Sequence, residues 1–264
     1  MPLSRLPRRR MLLEHGPDGE RERGEQAETD DEHQARLFRG VAARELIDAP
    51  AGGRAPPAVP PSLDCGPVGI ATKRGDGGTT GLLFGGRVRK DSLRIECNGA
   101  VDEAQAALGA ARAAVRAAAV SGPGSYTTSR LDELLVSVER DLWTLMAEVA
   151  TPPAKRSRLQ PGTSLVTAEM VSRLDAEVAA LEAAEVMPAE FVVPGQSTPS
   201  AALDVARTAV RRAERAAVRL PATEGSQIVP YLNRLSDLCW LLARAVEVDH
   251  LRARAERRRR DRSS

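Results

Sequence analysis

The segment RLDELLVSVERDLWTLMAEVA, residues 130–150, decides the fold class, because its apolar residues recur with the spacing of one face of an α-helix. Charged and polar residues occupy the other positions. Pro152 and Pro153 follow directly and are expected to end the helix. The segment therefore predicts an amphipathic helix, whose apolar positions are Leu131, Leu134, Leu135, Val138, Leu142, Leu145 and Met146.

Comparable patterns lie on both sides of this segment. VDEAQAALGAARAAVRAAA, residues 101–119, is an alanine-rich helix before it, and TAEMVSRLDAEVAALEAAEV, residues 167–186, is a helix after it that begins at a candidate cap, Thr167. A fourth helix is predicted over about 198–220 and a fifth over about 227–252. Short connections between the five helices predict an all-α, up-down five-helix bundle.

Composition and charge narrow the remaining choices. Aromatic residues make up 3% of the 264 residues, so the core is expected to consist of Leu, Val and Ala. The net charge of +2, from 38 basic and 36 acidic residues, provides no overall field that would attract nucleic acid or anionic lipid. Cys65, Cys97 and Cys239 are far apart, which argues against a disulfide framework or a CxxC metal site.

The two ends of the chain read as tails. Residues 1–65 combine a charged stretch with a Pro/Ala/Gly linker and predict a disordered extension, followed by a helical domain over 66–252. Residues 253–264 form a basic tail, and because no aromatic platform accompanies it, solvation is preferred to nucleic-acid binding. No apolar run reaches the roughly 20 residues that cross a bilayer. We expect a cytoplasmic protein, or one of the mitochondrial matrix if the source is eukaryotic.

Two helices carry unusual polar stripes. In the fourth, Leu203, Ala206, Val210, Ala213 and Ala217 share the apolar face, while Arg207, Arg211 and Glu214 line its edge. In the fifth, Asn233, Asp237, Trp240 and Arg244 lie opposite the apolar face. Such stripes indicate an anionic ligand or another chain. The alternative is ion pairing on a solvated face, with one exposed tryptophan.

The segment ATKRGDGGTTGLLFGG, residues 71–86, is rich in glycine, threonine and basic residues. Glycines let backbone N–H groups approach an anion, and Lys or Thr side chains complete its coordination, so a phosphate-binding loop is one interpretation. The segment matches neither the GxxxxGK[ST] nor the GxGxxG pattern. A flexible turn is the other interpretation, and the segment alone does not separate the two.

Together these segments resemble a known family. TKRGDGGTT, GGRVRKD, GAVDEAQAALG, FVVPG, ARTAVRRAER and YLNRLSDLCWLLAR are similar, in order and spacing, to motifs of the PduO-type ATP:cob(I)alamin adenosyltransferases. The resemblance covers residues 70 to about 250, except for the loop PPAKRSRLQPGTSL at 152–165. It implies a ferritin-like five-helix bundle that assembles as a homotrimer, binds ATP with Mg²⁺ between subunits, and transfers the 5′-deoxyadenosyl group to cob(I)alamin.

The resemblance also implies roles for individual residues. Arg207 would pair with Asp102 of a neighbouring subunit, and Phe191 would cover the lower face of the corrin ring. With Arg211, these form the expected catalytic set. Glu214 would lie near the magnesium ion. The residues implied for ATP binding are Thr72, Lys73, Arg74, Gly75, Thr79, Thr80, Lys90, Arg211, Arg212, Glu214, Arg215 and Asn233.

The chain departs from the family pattern at a few positions. Ala104 and Gln105 stand where many members have Leu and Asn, Gln196 replaces a glycine, and Asp204 replaces a histidine. These changes concern the corrinoid pocket more than the ATP site. No nucleophile–base pair is evident, which suits chemistry in which cobalt(I) is itself the nucleophile. A corrinoid reductase or an adenosylcobalamin-dependent mutase is a possible partner, and an ATP-binding chaperone that delivers cobalamin without catalysis is the alternative function.

Overall fold

The computed structural model describes residues 73–247, except 125, 185, 187, 189–191, 222 and 223. The tails predicted for 1–65 and 253–264 lie outside these residues. Five α-helices make up most of the described chain, which confirms the predicted helical bundle. They are α1 (Leu93–Ala118), α2 (Thr128–Val149), α3 (Ala168–Ala183), α4 (Thr198–Val218) and α5 (Ile228–Ala245), with a 3₁₀ helix at Pro153–Arg158 between α2 and α3.

Side-chain caps fix the start of three helices. The Thr127 side chain accepts a hydrogen bond from the Arg130 backbone N–H, and the Thr167 side chain accepts one from Met170. Ser197 and Ser200 form a reciprocal capping box at the start of α4. Each cap satisfies a backbone donor that the first helical turn leaves without a partner. The helix starts expected at 167 and 198 are therefore confirmed.

α4 lies at the centre of the bundle and packs against both α1 and α5. Its buried face is made largely of alanines, which allow close approach of the neighbouring helices. α2 packs on the outer side of α1, and α3 packs on α5. The apolar faces predicted for α2, α4 and α5 are buried as expected, apart from Met146, which is half-buried.

Polar contacts join α3 to the rest of the bundle. The Tyr231 hydroxyl of α5 donates to Asp141 of α2 at 2.9 Å, and Arg173 of α3 donates to the same carboxylate at 2.8 Å. Burial raises the pKa of Asp141, although Tyr231 and Arg173 act in the opposite direction. This carboxylate therefore connects three helices at one point.

A short β-hairpin precedes the bundle, where no strand was expected. β1 (Thr79–Gly81) pairs antiparallel with β2 (Arg87–Arg89), and the Leu82 N–H donates to the Gly86 carbonyl at 2.9 Å within the turn. Gly85 and Gly86 have φ of 85° and 97°, a region that favours glycine. α1 begins at Leu93, earlier than the alanine-rich pattern indicated, because its first turns carry polar residues. The described part of the glycine-rich segment thus belongs to a hairpin that leads into α1.

Core packing gives a direct test of this bundle. Leu238 of α5 is fully buried in the main core, so Leu238→Ala is expected to lower the free energy of unfolding by about 2–5 kcal/mol. Leu93→Ala is the matched control, because 48% of Leu93 is exposed. Urea titration of both variants measures the difference. Equal losses at the two sites would contradict the helix packing described.

Candidate active site

The glycine-rich hairpin has a compact loop at its N-terminal end. The Gly78 N–H donates to the Gly75 carbonyl at 3.1 Å, and the Asp76 N–H donates to the Lys73 carbonyl at 3.2 Å. Gly78 adopts φ of 76° and Lys73 adopts φ of 58°. Two successive turns therefore bend the chain before β1 and leave Lys73 and Arg74 exposed.

Arg87 of β2 fixes this loop against β1. Its guanidinium donates to the Arg74 carbonyl at 2.9 Å and to the Thr79 hydroxyl oxygen at 3.0 Å. Thr79 therefore uses its oxygen as an acceptor, and its O–H remains available to donate to an anion. The sequence analysis did not assign a role to Arg87, since its partner carbonyl lies 13 residues earlier in the chain.

Lys90 lies over Gly75. A Cβ atom added to Gly75 would come within 2.8 Å of the Lys90 Nζ, so the absence of a side chain at 75 makes room for the ammonium group. The Lys90 backbone N–H donates to the Gly78 carbonyl at 3.0 Å. Two of the expected ATP-binding residues are thus neighbours at the same end of the hairpin, beside the exposed Lys73 and Arg74.

The other end of the hairpin is anchored to the bundle. The Leu83 N–H donates to the Ala150 carbonyl at 3.0 Å, and the Leu83 side chain is buried against Ala147 and Ala150. The Lys155 ammonium donates to the Phe84 carbonyl, and the Arg158 guanidinium lies 4.2 Å from the Phe84 ring centre. The 3₁₀ helix therefore holds the hairpin turn in place, a role that the sequence did not indicate.

The second candidate surface is the polar edge of α4. Arg211 and Arg215 are exposed, and the Arg215 guanidinium donates to the Arg211 carbonyl at 3.0 Å. Arg212 forms an ion pair with Glu103 of α1 and points along that side of the helix pair. Arg207 is only half-buried, with 29% of its side chain exposed. The stripe predicted from spacing is present and reaches solvent.

Glu214 and Asn233 meet between α4 and α5. The Asn233 side-chain amide donates to the Glu214 carboxylate at 3.1 Å, although the two residues are 19 positions apart in the chain. The amide orients the carboxylate, and both groups remain accessible at the edge of the helix pair. Two residues that the resemblance implies for ATP binding therefore form one unit.

Within one chain, Arg207 contacts Asp204 and not Asp102. The Arg207 Nε lies 3.4 Å from the Asp204 carboxylate one turn earlier, and Asp102 is exposed on α1. The pair expected between Arg207 and Asp102 belongs to two different subunits, so the single chain does not test it. Asp102 is accessible for such a contact.

Arg244 does not belong to the exposed stripe of α5. It is 1% exposed, and its guanidinium donates to Asp204 at 2.8 Å and lies near Glu247. The prediction that Arg244 lies with Asn233 and Trp240 opposite the apolar face, open to a ligand, another chain or solvent, was wrong. Two buried carboxylates neutralise its charge, and one of them comes from α4, which the spacing of residues in α5 alone does not reveal.

Thr72 and Phe191 lie outside the described residues. Among the residues described, no cluster of three His, Cys, Asp or Glu side chains is placed to hold a metal ion.

Burial raises the pKa of Cys97 to about 11 and that of Cys239 to about 12, so both thiols stay protonated at neutral pH. The described part of the chain therefore offers no activated cysteine nucleophile.

A cavity of about 310 Å³ lies at one end of the bundle, where Arg94, Glu148, Arg156 and Ser226 contribute to its lining. Glu148 is buried and accepts from Arg156 at 2.5 Å and from Ser226 at 3.0 Å, so the polar groups of this cavity satisfy one another. None of the residues expected to bind ATP lines it. Those expected ATP residues that the structure describes are exposed or half-buried at the surface of the chain.

Comparisons with known proteins show which family the chain resembles. The family described as cobalamin adenosyltransferase matches residues 70–246. A cobalamin adenosyltransferase from Cupriavidus metallidurans is 40% identical over 179 residues, covering 67% of this chain and 87% of that protein. A corrinoid adenosyltransferase from Mycobacterium tuberculosis is 36% identical over 184 residues, covering 68% and 89%.

Solved structures extend the likeness to three dimensions. A variant of a PduO-type ATP:corrinoid adenosyltransferase from Lactobacillus reuteri, complexed with cobalamin and ATP, superimposes with a TM-score of 0.56 at 28% identity. The match covers 67% of this chain and 90% of that one. No described helix is long and apolar enough to span a membrane. With the family match over most of the described residues and relatives at this identity, the chain belongs to the cobalamin adenosyltransferase family.

Proposed function

We infer that this protein is a corrinoid adenosyltransferase, which transfers the 5′-deoxyadenosyl group of ATP to cob(I)alamin and releases triphosphate. The hydrogen bond between Glu214 and Asn233 is the observation that carries this inference for the chain itself. It unites two separate motifs of the family in one polar unit, beside the exposed Arg211. The family match over residues 70–246 supports the same activity.

The reaction is a displacement at the C5′ carbon of the ATP ribose. Cobalt(I) supplies the electron pair that forms the cobalt–carbon bond, the C5′–oxygen bond breaks, and triphosphate leaves with that oxygen. The protein is not required to supply a nucleophile, in keeping with the buried, protonated thiols of Cys97 and Cys239. Its task is to position ATP and to stabilise the charge on the leaving group.

We propose that the phosphates lie between the hairpin of one subunit and α4 of another. Lys73, Arg74 and Lys90 on the hairpin and Arg211 and Arg215 on α4 supply positive charge, and all five are exposed in the single chain. Thr79 and Thr80 would add hydroxyl donors, and Arg212 would add charge at the edge near Glu103. Exposed cations on two surfaces of one chain make an anion site when two chains meet.

Magnesium would enter this site with ATP. Mg²⁺ prefers oxygen ligands, keeps several waters and often takes only one or two carboxylates from the protein together with substrate phosphates. Glu214 fits that requirement, because the amide of Asn233 orients its carboxylate and leaves it accessible. We propose Glu214 as the protein group nearest the ion. The magnesium ion would neutralise negative charge on the departing triphosphate.

The active assembly proposed is a homotrimer with three equivalent sites. Arg207 of one subunit would pair with Asp102 of its neighbour, since Asp102 is exposed and Arg207 reaches the surface. A reductase would supply the cobalt(I) corrinoid, and a mutase that uses adenosylcobalamin would receive the product. Reduced corrinoid and ATP both suit the reducing bacterial cytoplasm, which is where we place the reaction.

The activity is tested by anaerobic incubation of the full chain with ATP, Mg²⁺ and chemically reduced cobalamin. We expect the absorption spectrum of adenosylcobalamin to appear together with one triphosphate for each corrinoid converted. A chaperone that only binds ATP and cobalamin would give binding without triphosphate. That second result would overturn the assignment of a transferase.

The close approach of Lys90 to Gly75 gives the first prediction for the site. Gly75→Ala places a methyl group at the position of the Lys90 ammonium, which is the far end of a flexible side chain, so the fold survives and the ammonium moves. We expect KM for ATP to rise about tenfold, as one charge-assisted contact to phosphate is displaced. The matched control is Gly77→Ala, since nothing lies within 4 Å of a Cβ at Gly77. Similar KM values for the two variants would contradict the placement of Lys90.

Phe191 gives a second prediction, although it lies outside the described residues. If its side chain excludes the lower axial ligand of cobalt, Phe191→Ala should slow the reaction that starts from cob(II)alamin and a reductant. Pre-reduced cob(I)alamin should restore most of the rate, because that species already lacks the ligand. If Phe191 were an ordinary core residue, Phe191→Ala would instead lower the free energy of unfolding by about 3–5 kcal/mol. The transfer rates in both assays and the melting temperature would then fall together.

The assembly itself is the third prediction. Light scattering at micromolar concentration should give three times the mass of the chain, because the proposed site joins α4 of one subunit to the hairpin and Asp102 of the next, and the resemblance implies that such head-to-tail contacts close into a ring of three. Asp102→Asn and Arg207→Ala are each expected to slow transfer, with a combined effect well below the sum of the two. A stable, active monomer would rule out sites shared between subunits.

A further inference from the structure

A buried cluster of four charged side chains joins the end of α5 to Arg207. Arg244 and Glu247 are 1% and 0% exposed at their side chains, Asp204 is 8% exposed, and Arg207 forms the outer member at 29%. Two guanidinium groups face two carboxylates, so the formal charges cancel. A cluster of this kind is tolerated in a helical core only while every charge has its counterpart.

Asp204 divides its carboxylate between the two arginines. Its Oδ2 accepts from the Arg244 guanidinium at 2.8 Å, and its Oδ1 lies 3.4 Å from the Arg207 Nε. That Nε is buried, and no described residue accepts a well-aligned hydrogen bond from it. Asp204 therefore lies beside the Nε of Arg207, while 29% of the Arg207 side chain stays exposed.

Glu247 resembles Asp204 in burial but differs in its contacts. Its carboxylate lies 3.0 Å from the Arg244 Nε and 3.2 Å from a terminal nitrogen of the same guanidinium. Among the described residues, it forms no ion pair with Arg207. The chain thus provides two buried carboxylates on one arginine, of which only Asp204 also contacts Arg207.

Arg207 occupies a distinct position in the polar stripe. It lies one turn before Arg211 and two turns before Glu214, which places it about 6 Å and 10 Å nearer to the start of α4. Phe191 precedes that same start in the sequence. Under the proposed function Phe191 covers the corrin ring, so we place the corrinoid near the start of α4, on the side of Arg207 and away from the unit formed by Glu214 and Asn233.

We propose that Asp204 is a positioning residue, which acts through Arg207 to orient its guanidinium toward the corrinoid side of the active site. The proposal rests on the proposed transferase function. A long arginine side chain at a half-exposed position has many rotamers, and a fixed charge at its Nε restricts them. Arg244 holds the Asp204 carboxylate in turn, so the orientation of Arg207 is set from within the core.

The test compares Asp204→Asn with Glu247→Gln in the full chain. Each variant leaves Arg244 with one carboxylate, so both should lower the melting temperature by similar amounts. Only Asp204→Asn removes the charge beside Arg207. We expect it to raise KM for cob(I)alamin about tenfold and to change KM for ATP less than about threefold, while Glu247→Gln leaves both constants within about twofold.

Three outcomes would overturn the proposal. Unchanged KM for cob(I)alamin in Asp204→Asn would show that Arg207 does not depend on Asp204, and equal changes in both variants would show a structural role only. An inactive wild-type protein would overturn the transferase function and this proposal together, whereas an active one isolates the test of Asp204. If Asp204→Asn does not fold, Asp204→Ser replaces it, because the shorter side chain admits water beside Arg244, and the same outcomes apply.

Discussion

The close packing of α4 against α1 and α5 is the constraint on which the rest of the structure depends. α4 buries alanines at Ala206, Ala209, Ala213, Ala216 and Ala217, so two neighbouring helices approach its backbone directly. A helix held on both sides has little freedom to rotate, because its small side chains leave no space to repack. The direction in which the long side chains leave the edge of α4 is consequently fixed. The position of the candidate site is thus a consequence of how the core packs.

Local signals were sufficient to predict most of this architecture. Helical spacing and prolines predicted the five helices, and Thr167 predicted the start of α3, since these features act within a few residues of one another. Contacts between distant segments were not predictable in the same way. Arg244 is buried because Asp204, 40 positions earlier, accepts from it, and a helical wheel of α5 contains no information about α4. The hairpin was also missed, because its strands are only three residues long and the segments before and between them are rich in glycine.

The candidate site combines a glycine-rich segment with contacts that hold this segment in one conformation. The glycine-rich segment has few side chains of its own to pack, yet Leu83, Phe84 and Arg87 fix its turn and its loop. The resemblance supplied the expected ATP residues, and the structure adds the contacts that hold them. Among those contacts are the 3₁₀ helix against Phe84 and the buried carboxylate of Glu148, which binds Arg156 of the same 3₁₀ helix. When contacts of this kind fix the donors of an anion site beforehand, little free energy is lost to their reorganisation during the reaction.

In the proposed assembly, one subunit supplies the hairpin and another supplies α4 to the same ATP site. The most direct test of this arrangement is complementation between two variants, Lys90→Ala in the hairpin and Arg211→Ala in α4, each expected to be nearly inactive alone. When the two variants are co-expressed in equal amounts, they should mix at random in the trimers. About three quarters of the trimers would contain both variants, and each of these would have one intact site of its three. About one quarter of wild-type activity should therefore return. Activity no higher than the mean of the two variants would contradict a shared site and place both residues in the same chain's pocket.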